Sequence, residues 1–330
     1  MDLIDGAERK VFVATWMVGD PELLDTLYRA ADRLQGGVYV IAAMNERDLA
    51  KAYDEEDTEV APAERMRERK QFEALTQNGI AVRTYNGCHA KFVVVDDRSA
   101  LVSSANLVPR ALDLTGENGV LLTDHPEAER AARLFARLWA DCEQELPLSG
   151  DRVLTDVRGP RTHCRLEAPN PGENGLIWTH GRDHRILAAV HELIAAAESE
   201  LLLATFSLNG IADHPSLLLE PLRTAVDRGV DVRMLVRGRD RPDHLDDAAA
   251  LAEAGVNLFP CSLNHAKGII ADRERGALFS ANFDAAHGLT GGVELGMRLD
   301  GTPALAEALR YFEHAIAEHD RELMQPVDGD

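Results

Sequence analysis

Short apolar runs, each closed by small or polar residues, alternate along this chain with stretches that are apolar at helical spacing. Val11-Phe12-Val13 ends in Ala14-Thr15-Trp16, and Leu201-Leu202-Leu203 ends in Ala204-Thr205-Phe206. Phe92 to Val95 and Gly268 to Ala271 are further runs, followed by Leu101-Val102 and Leu278-Phe279. Runs this short and this apolar read as strands of a largely buried sheet. From Asp183 to Ala197, Ile186, Leu187, Val190, Leu193 and Ile194 recur at helical spacing. Each half predicts strand, helix, strand, helix, a strand pair, then a closing strand and helix. That alternation implies an α/β fold of two α-β-α sandwich domains related by a pseudo-twofold axis, with mixed, mostly parallel sheets.

The two halves are an internal repeat. Ala74-Leu75 with Gly79-Ile80 recurs as Ala250-Leu251 with Gly255-Val256, 176 positions on. Leu114-Thr115-Gly116 matches Leu289-Thr290-Gly291, and Glu117-x-Gly119 matches Glu294-x-Gly296. The domains are expected at 1–148 and 176–330, joined by a linker over 149–175 in a Pro-, Gly- and charge-rich stretch. From Thr15 to His89 is 74 positions but from Thr205 to His265 only 60. The surplus is expected in an exposed insertion between Asn45 and Lys70. The helix expected near Asp183 to Ala197 has no counterpart before Val11, where there is no room for one.

The same offset carries a polar cassette. His89, Lys91, Asp96, Ser104 and Asn106 recur as His265, Lys267, Asp272, Ser280 and Asn282, all 176 positions apart. Histidine and lysine two apart on a strand share a face, with Ala90 and Ala266 turned into the packed side. Each serine and asparagine, also two apart, shares a neighbouring face. The aspartates lie an odd number of residues from their histidines, at the strand end. They are therefore expected to be structural, bonding turn amides or a nearby arginine. Each half thus offers an imidazole, an ammonium, a hydroxyl and an amide. Two such faces suit one phosphate, with lysines neutralising its oxygens and serine and asparagine donors holding them. Glu117 and Glu294 are candidates to bond a histidine's second nitrogen and fix its tautomer.

A doubled cassette of this kind resembles the phospholipase D superfamily. The resemblance implies a metal-independent phosphodiesterase that needs no cofactor and works through a covalent phosphohistidine. It favours His89 as the nucleophile and His265 as the general acid. The stretch Ser104 to Arg110 is similar to that of bacterial phospholipase D-like proteins found with helicases in DNA-processing and anti-phage systems. A nuclease is therefore expected first, with such a system supplying a protein partner. A phospholipase or phosphatidyltransferase is the alternative, and a decayed, silent binding module the third reading. With both cassettes in one chain, a monomer suffices for a complete site.

Composition alters this little. The net charge is −21, which would repel polyanions at long range and does not suggest a protein that coats DNA, though a local basic groove can coexist with an acidic surface. Only Lys10, Lys51, Lys70, Lys91 and Lys267 are lysines, so the basic set is almost all arginine. No apolar run approaches the ~18–20 residues that span a bilayer, and the acidic start lacks the features of a secretory signal. A cytoplasmic protein with reduced thiols is expected, since Cys88, Cys142, Cys164 and Cys261 have no metal-type spacing. Histidines outside the cassettes read as surface residues. Trp16 and Phe206 read as core or as cleft walls. Arg65, Arg67, Arg69 and Lys70, and Arg237, Arg239 and Arg241, read as solvated charge.

Overall fold

The computed structural model describes residues 1–43, 71–148, 154–158, 166–167, 169–237 and 242–319. The expected insertion from Asn45 to Lys70, with its basic residues, lies outside these, as do Arg239, Arg241, His163 and Cys164. The chain forms two compact units. Unit 1 comprises Met1–Val102, Asn106–Asp113 and Leu121–Glu167; unit 2 comprises Ser103–Ala105, Leu114–Val120 and Ala168–Asp330. The chain's first half therefore contributes two short segments to unit 2, a division that linear boundaries at 148 and 176 do not express. Ser104 groups with unit 2 and Asn106 with unit 1.

The first sheet holds β1 (Val11–Thr15), β2 (Val38–Ala42), β3 (Ala81–Thr84), β4 (Lys91–Val95), β5 (Ser99–Ser103), β6 (Gly119–Leu122), β7 (Gln144–Leu146) and β8 (Thr155–Asp156). Their order is β6-β5-β4-β1-β2-β3-β7-β8. Alternation along β1 explains why both faces need cover. Val11 and Val13 pack with Leu23, Leu24 and Leu27 of the helix Pro21–Arg33. Phe12 points the other way and stacks on Phe135 of the helix Pro126–Asp141, with ring centroids 4.5 Å apart. The helix at 21 starts where Asp20 accepts from the Leu23 amide and Pro21 fills the first turn. A cap of this kind contributes about 0.5–2 kcal/mol.

Unit 2 repeats the plan with β9 (Gly175–His180), β10 (Asp183–His184), β11 (Glu200–Thr205), β13 (Asp231–Val236), β14 (Asn257–Pro260), β15 (Gly268–Ala271), β16 (Arg275–Phe279) and β18 (Val293–Arg298). Their order is β10-β9-β18-β16-β15-β11-β13-β14. A separate two-stranded ribbon pairs β12 (Leu208–Asn209) with β17 (Phe283–Asp284). The helix Arg185–Ala196 lies where helical spacing predicts it, burying Ile186, Val190, Leu193 and Ile194 against Leu201 and Leu203. The only helix before β1 is the four-residue Asp2–Asp5.

The α/β class and the mixed sheets are as expected, but a parallel majority is not found. In the second sheet, parallel pairing is confined to β11 with β13 and β13 with β14. β4 and β15 run antiparallel to the first strand of their repeat. The reason lies in the connections. A tight turn can join only antiparallel strands, and β15 to β16 is such a hairpin. The stretch expected to be linker also contributes: β8 pairs antiparallel with β7, covering an otherwise open edge.

Candidate active site

Each cassette histidine stands just outside a strand. β4 begins at Lys91 and β15 at Gly268, because the ladders to the first strands end at Ala14–Phe92 and Ala204–Gly268. Beyond those pairs the chain turns away. The Thr15 hydroxyl donates to the Met17 carbonyl at 2.7 Å, and the Thr205 hydroxyl to that of Ser207 at 2.8 Å. Histidine and lysine are thus placed at the strand mouth, where backbone irregularity is tolerated. The alanines between them are fully buried, and so are Lys91 and Lys267 at 1% and 0% exposure. Each ammonium donates to the carbonyl of its own cassette histidine, Lys267 at 2.7 Å.

The aspartates hold the far end of the same strands. Asp96 and Asp97, and Asp272 and Arg273, are paired left-handed residues in the hairpin turns. The Asp96 carboxylate accepts from the amides of Glu8, Arg9 and Lys10 at 2.7–2.9 Å. Asp272 accepts from the amides of Glu198, Ser199 and Glu200, from the Ser199 hydroxyl and from Arg275. Those amides lead into β1 and β11, so each aspartate ties its turn to the start of the first strand rather than to the turn itself. Burial alone would raise both carboxyls, but the converging backbone N–H groups outweigh it and hold both below the ordinary range.

Unit 2 contains a complete histidine-orienting network. His265 Nδ1 lies 2.7 Å from Glu117 Oε1 and 3.0 Å from Lys267 Nζ. One nitrogen cannot serve both, because an ammonium needs an acceptor and a carboxylate needs a donor. The shorter contact to the stronger acceptor places the proton on Nδ1, pointing at Glu117, and leaves Nε2 for chemistry. Glu117 is itself held by the hydroxyls of Thr115 and Ser104. Its segment is docked as a short parallel bridge: the Gly116 amide donates to Leu263 O at 2.8 Å, and the His265 amide to Gly116 O at 2.9 Å. The Asn118 amide group donates to Lys267 O at 3.0 Å. A glutamate from the first half of the sequence therefore orients the histidine of the second cassette.

The serines do not present donors to a phosphate as expected. Ser104 and Ser280 are 0% exposed, and each hydroxyl donates to the carboxylate of its repeat glutamate, Glu117 or Glu294. Each also accepts from the following amide, that of Asn118 at 2.9 Å or Leu295 at 3.1 Å. The serine proton is committed to anchoring the glutamate. The asparagines differ: Oδ1 of both Asn106 and Asn282 is buried with no hydrogen-bond partner among the described residues. An unmet polar atom costs about 1–3 kcal/mol, and here it recurs at matching positions in both halves.

Aromatic rings flank both histidines. Trp16 lies 5.8 Å from the His89 ring and is 40% exposed, so it is not core. Phe206 meets His265 edge-on at 4.6 Å and carries the Arg237 guanidinium at 4.7 Å and the Lys267 ammonium at 5.5 Å. Arg237 is thus drawn to the cassette rather than left on a solvated face. Sequence reasoning missed the threonine turns, Asn118 and Thr115, although Thr15 and Thr205 stood in the repeat. It also missed Tyr311, whose hydroxyl donates to Asn264 beneath Gly116. Burial, then the nearby Cys261 and Glu117 charges, pushes that phenol upward. Of the remaining histidines, His180 and His244 are buried rather than exposed, His244 accepting from the Leu208 amide. Among the described residues, Cys88, Cys142 and Cys261 form no disulfide. Among the described residues no group of His, Cys, Asp or Glu is arranged to hold a metal, and no helix is long and apolar enough to cross a membrane.

A family model described as cardiolipin synthase, PLD-like domain, matches residues 1–139 and 190–316. The chain belongs to the phospholipase D-like family. Phosphatidylserine synthase of Haemophilus influenzae superposes with a TM-score of 0.64 at 17% identity, covering 98% of this chain and 86% of that one. Polyphosphate kinase of Porphyromonas gingivalis gives a TM-score of 0.58 at 16% identity, over 96% of this chain but 44% of the kinase. Both share the fold. The phospholipase D family member Nuc of Salmonella typhimurium, 21% identical, overlaps 45% of this chain and 97% of its own with a TM-score of 0.39. No curated protein matches the chain.

Proposed function

We propose that this protein is a metal-independent phosphodiesterase acting through a phosphohistidine, with nucleic acid as its substrate. The family is one of phosphodiester and phosphoryl-transfer chemistry. The observation that carries the reading is the Glu117–His265 pair, which supplies an imidazole with a fixed tautomer beside a buried ammonium. In the first step a ring nitrogen of His89 attacks phosphorus. The P–O bond to the leaving group breaks, and that oxygen takes the proton on His265 Nε2. In the second step water gives a proton back to His265 Nε2 and attacks phosphorus, and the P–N bond to His89 breaks. Lys91 and Lys267 supply positive charge near the phosphoryl oxygens, and the Nδ2 groups of Asn106 and Asn282 donate to the same oxygens. Asp96 and Asp272 hold the strands.

The nucleic-acid preference rests on the similarity of the Ser104–Arg110 stretch to DNA-processing relatives. A second reading, phosphatidyl transfer on a lipid headgroup, is favoured by the description of the matching family model. A side-by-side assay in EDTA of single-stranded DNA, duplex DNA, RNA and phosphatidylcholine vesicles separates the two. We expect nucleic-acid cleavage that survives EDTA and is abolished in both His89→Ala and His265→Ala. Turnover of lipid alone would overturn the substrate, and loss of activity in EDTA with rescue by Mg²⁺ would overturn the mechanism.

A further inference from the structure

We infer that Trp16 is a stacking platform for an unpaired nucleobase next to the scissile phosphate, which makes single-stranded nucleic acid the substrate. This rests on the nucleic-acid reading above. Trp16 follows β1 directly, and its backbone is fixed on both sides. The Thr15 hydroxyl holds the Met17 carbonyl, the Leu107 amide donates to that carbonyl at 3.1 Å, and Val18 bridges to Leu107. An indole so held is nonetheless 40% exposed, beside a histidine that must touch phosphorus. The indole face is therefore open to a ligand at the point where the histidine reacts.

Whatever lies on a ring 5.8 Å from His89 belongs to the nucleotide being cut or to its neighbour. Only an unpaired base offers a planar face there, since a base in a duplex is already stacked. The competing occupant of an aromatic surface is a quaternary ammonium headgroup, which is recognised by cages of several rings. The ring contact described for Trp16 is an imidazole. The repeat-equivalent Phe206 already carries two cations, Arg237 and Lys267, so it does not take a third. Both cations suit the phosphates of a polyanion.

The test compares wild type, Trp16→Ala and Trp16→Phe on a single-stranded oligonucleotide and on the same oligonucleotide with abasic residues flanking the cleaved bond. We expect Trp16→Ala to raise KM roughly ten- to a hundredfold on the intact strand, with kcat within about twofold. Trp16→Phe should recover most of the loss. On the abasic strand all three proteins should show the same raised KM. Unchanged KM in Trp16→Ala, or an equal loss on intact and abasic strands, overturns the platform while leaving the nuclease reading standing. If wild type cleaves neither strand but hydrolyses phosphatidylcholine, the nuclease reading has failed and the platform with it.

Discussion

Replacing Glu117 by glutamine keeps the side chain's shape but removes the charge that fixes His265. In the wild type, Nδ1–H points at a carboxylate oxygen 2.7 Å away. A glutamine can turn its amide N–H toward Nδ1 and move the ring proton to Nε2, so that the neutral ring has no lone pair there to accept water's proton in the second step. A hydrogen bond to a charged group is worth about 1.5–3 kcal/mol, so the reactive tautomer becomes about ten- to a hundredfold rarer. The variant also loses the anion that stabilises the imidazolium, about 4 kcal/mol at ~4 Å with an effective dielectric near 20, and less where water screens it. The two effects overlap, and a fall in kcat of about a hundred- to ten-thousandfold follows. The fold should survive, because a glutamine oxygen still accepts from Thr115 or Ser104. The assay pairs turnover with ¹⁵N imidazole shifts, which report the tautomer without any substrate. A His265 that keeps Nδ1–H in Glu117→Gln, with turnover within a few-fold of wild type, would refute the reasoning.

Other expectations concern the scaffold. Asp272 sits below its ordinary value of 3.8, held there by backbone N–H groups. A depressed carboxyl contributes stability above the unfolded value and loses it as pH falls through the folded one. Acid unfolding should therefore set in below about pH 4, and Asp272→Asn should flatten that limb while lowering the melting temperature at neutral pH. A differential scan across pH 2–7 checks this, and an unaltered acid limb would show that the aspartate does not hold the strand. A methyl group at position 116 would overlap the Tyr311 hydroxyl. Gly116→Ala should displace the Glu117 segment and cut kcat at least tenfold, an effect partly relieved by Tyr311→Phe, which removes the clashing oxygen. A Gly116→Ala enzyme with full turnover would show that the docking is not needed.

Much of this architecture is legible in the chain because the duplication records it twice. The constant offset finds His89 and His265, and strand parity separates the lysines from the aspartates. Strand direction is not legible: an apolar run such as Val93 to Val95 is equally apolar beside a parallel or an antiparallel partner. The exchange of Leu114–Val120 into unit 2 is a tertiary event, so spacing alone could pair Glu117 with a histidine but not choose His265. The serines illustrate a different limit. Their place beside the cassette is fixed by sequence, but only full burial reveals that their protons go to glutamates. Residues 155–156 form an edge strand because β7 needs a partner, a requirement invisible in a Pro- and Gly-rich segment.

The central claim is a covalent phosphohistidine formed without metal. Acid-free quenching of the enzyme with substrate in EDTA, followed by peptide mass spectrometry, tests it most directly. The account predicts a phosphoryl-linked adduct on His89 that is absent from His89→Ala. Full turnover in EDTA with no adduct on either cassette histidine would contradict it.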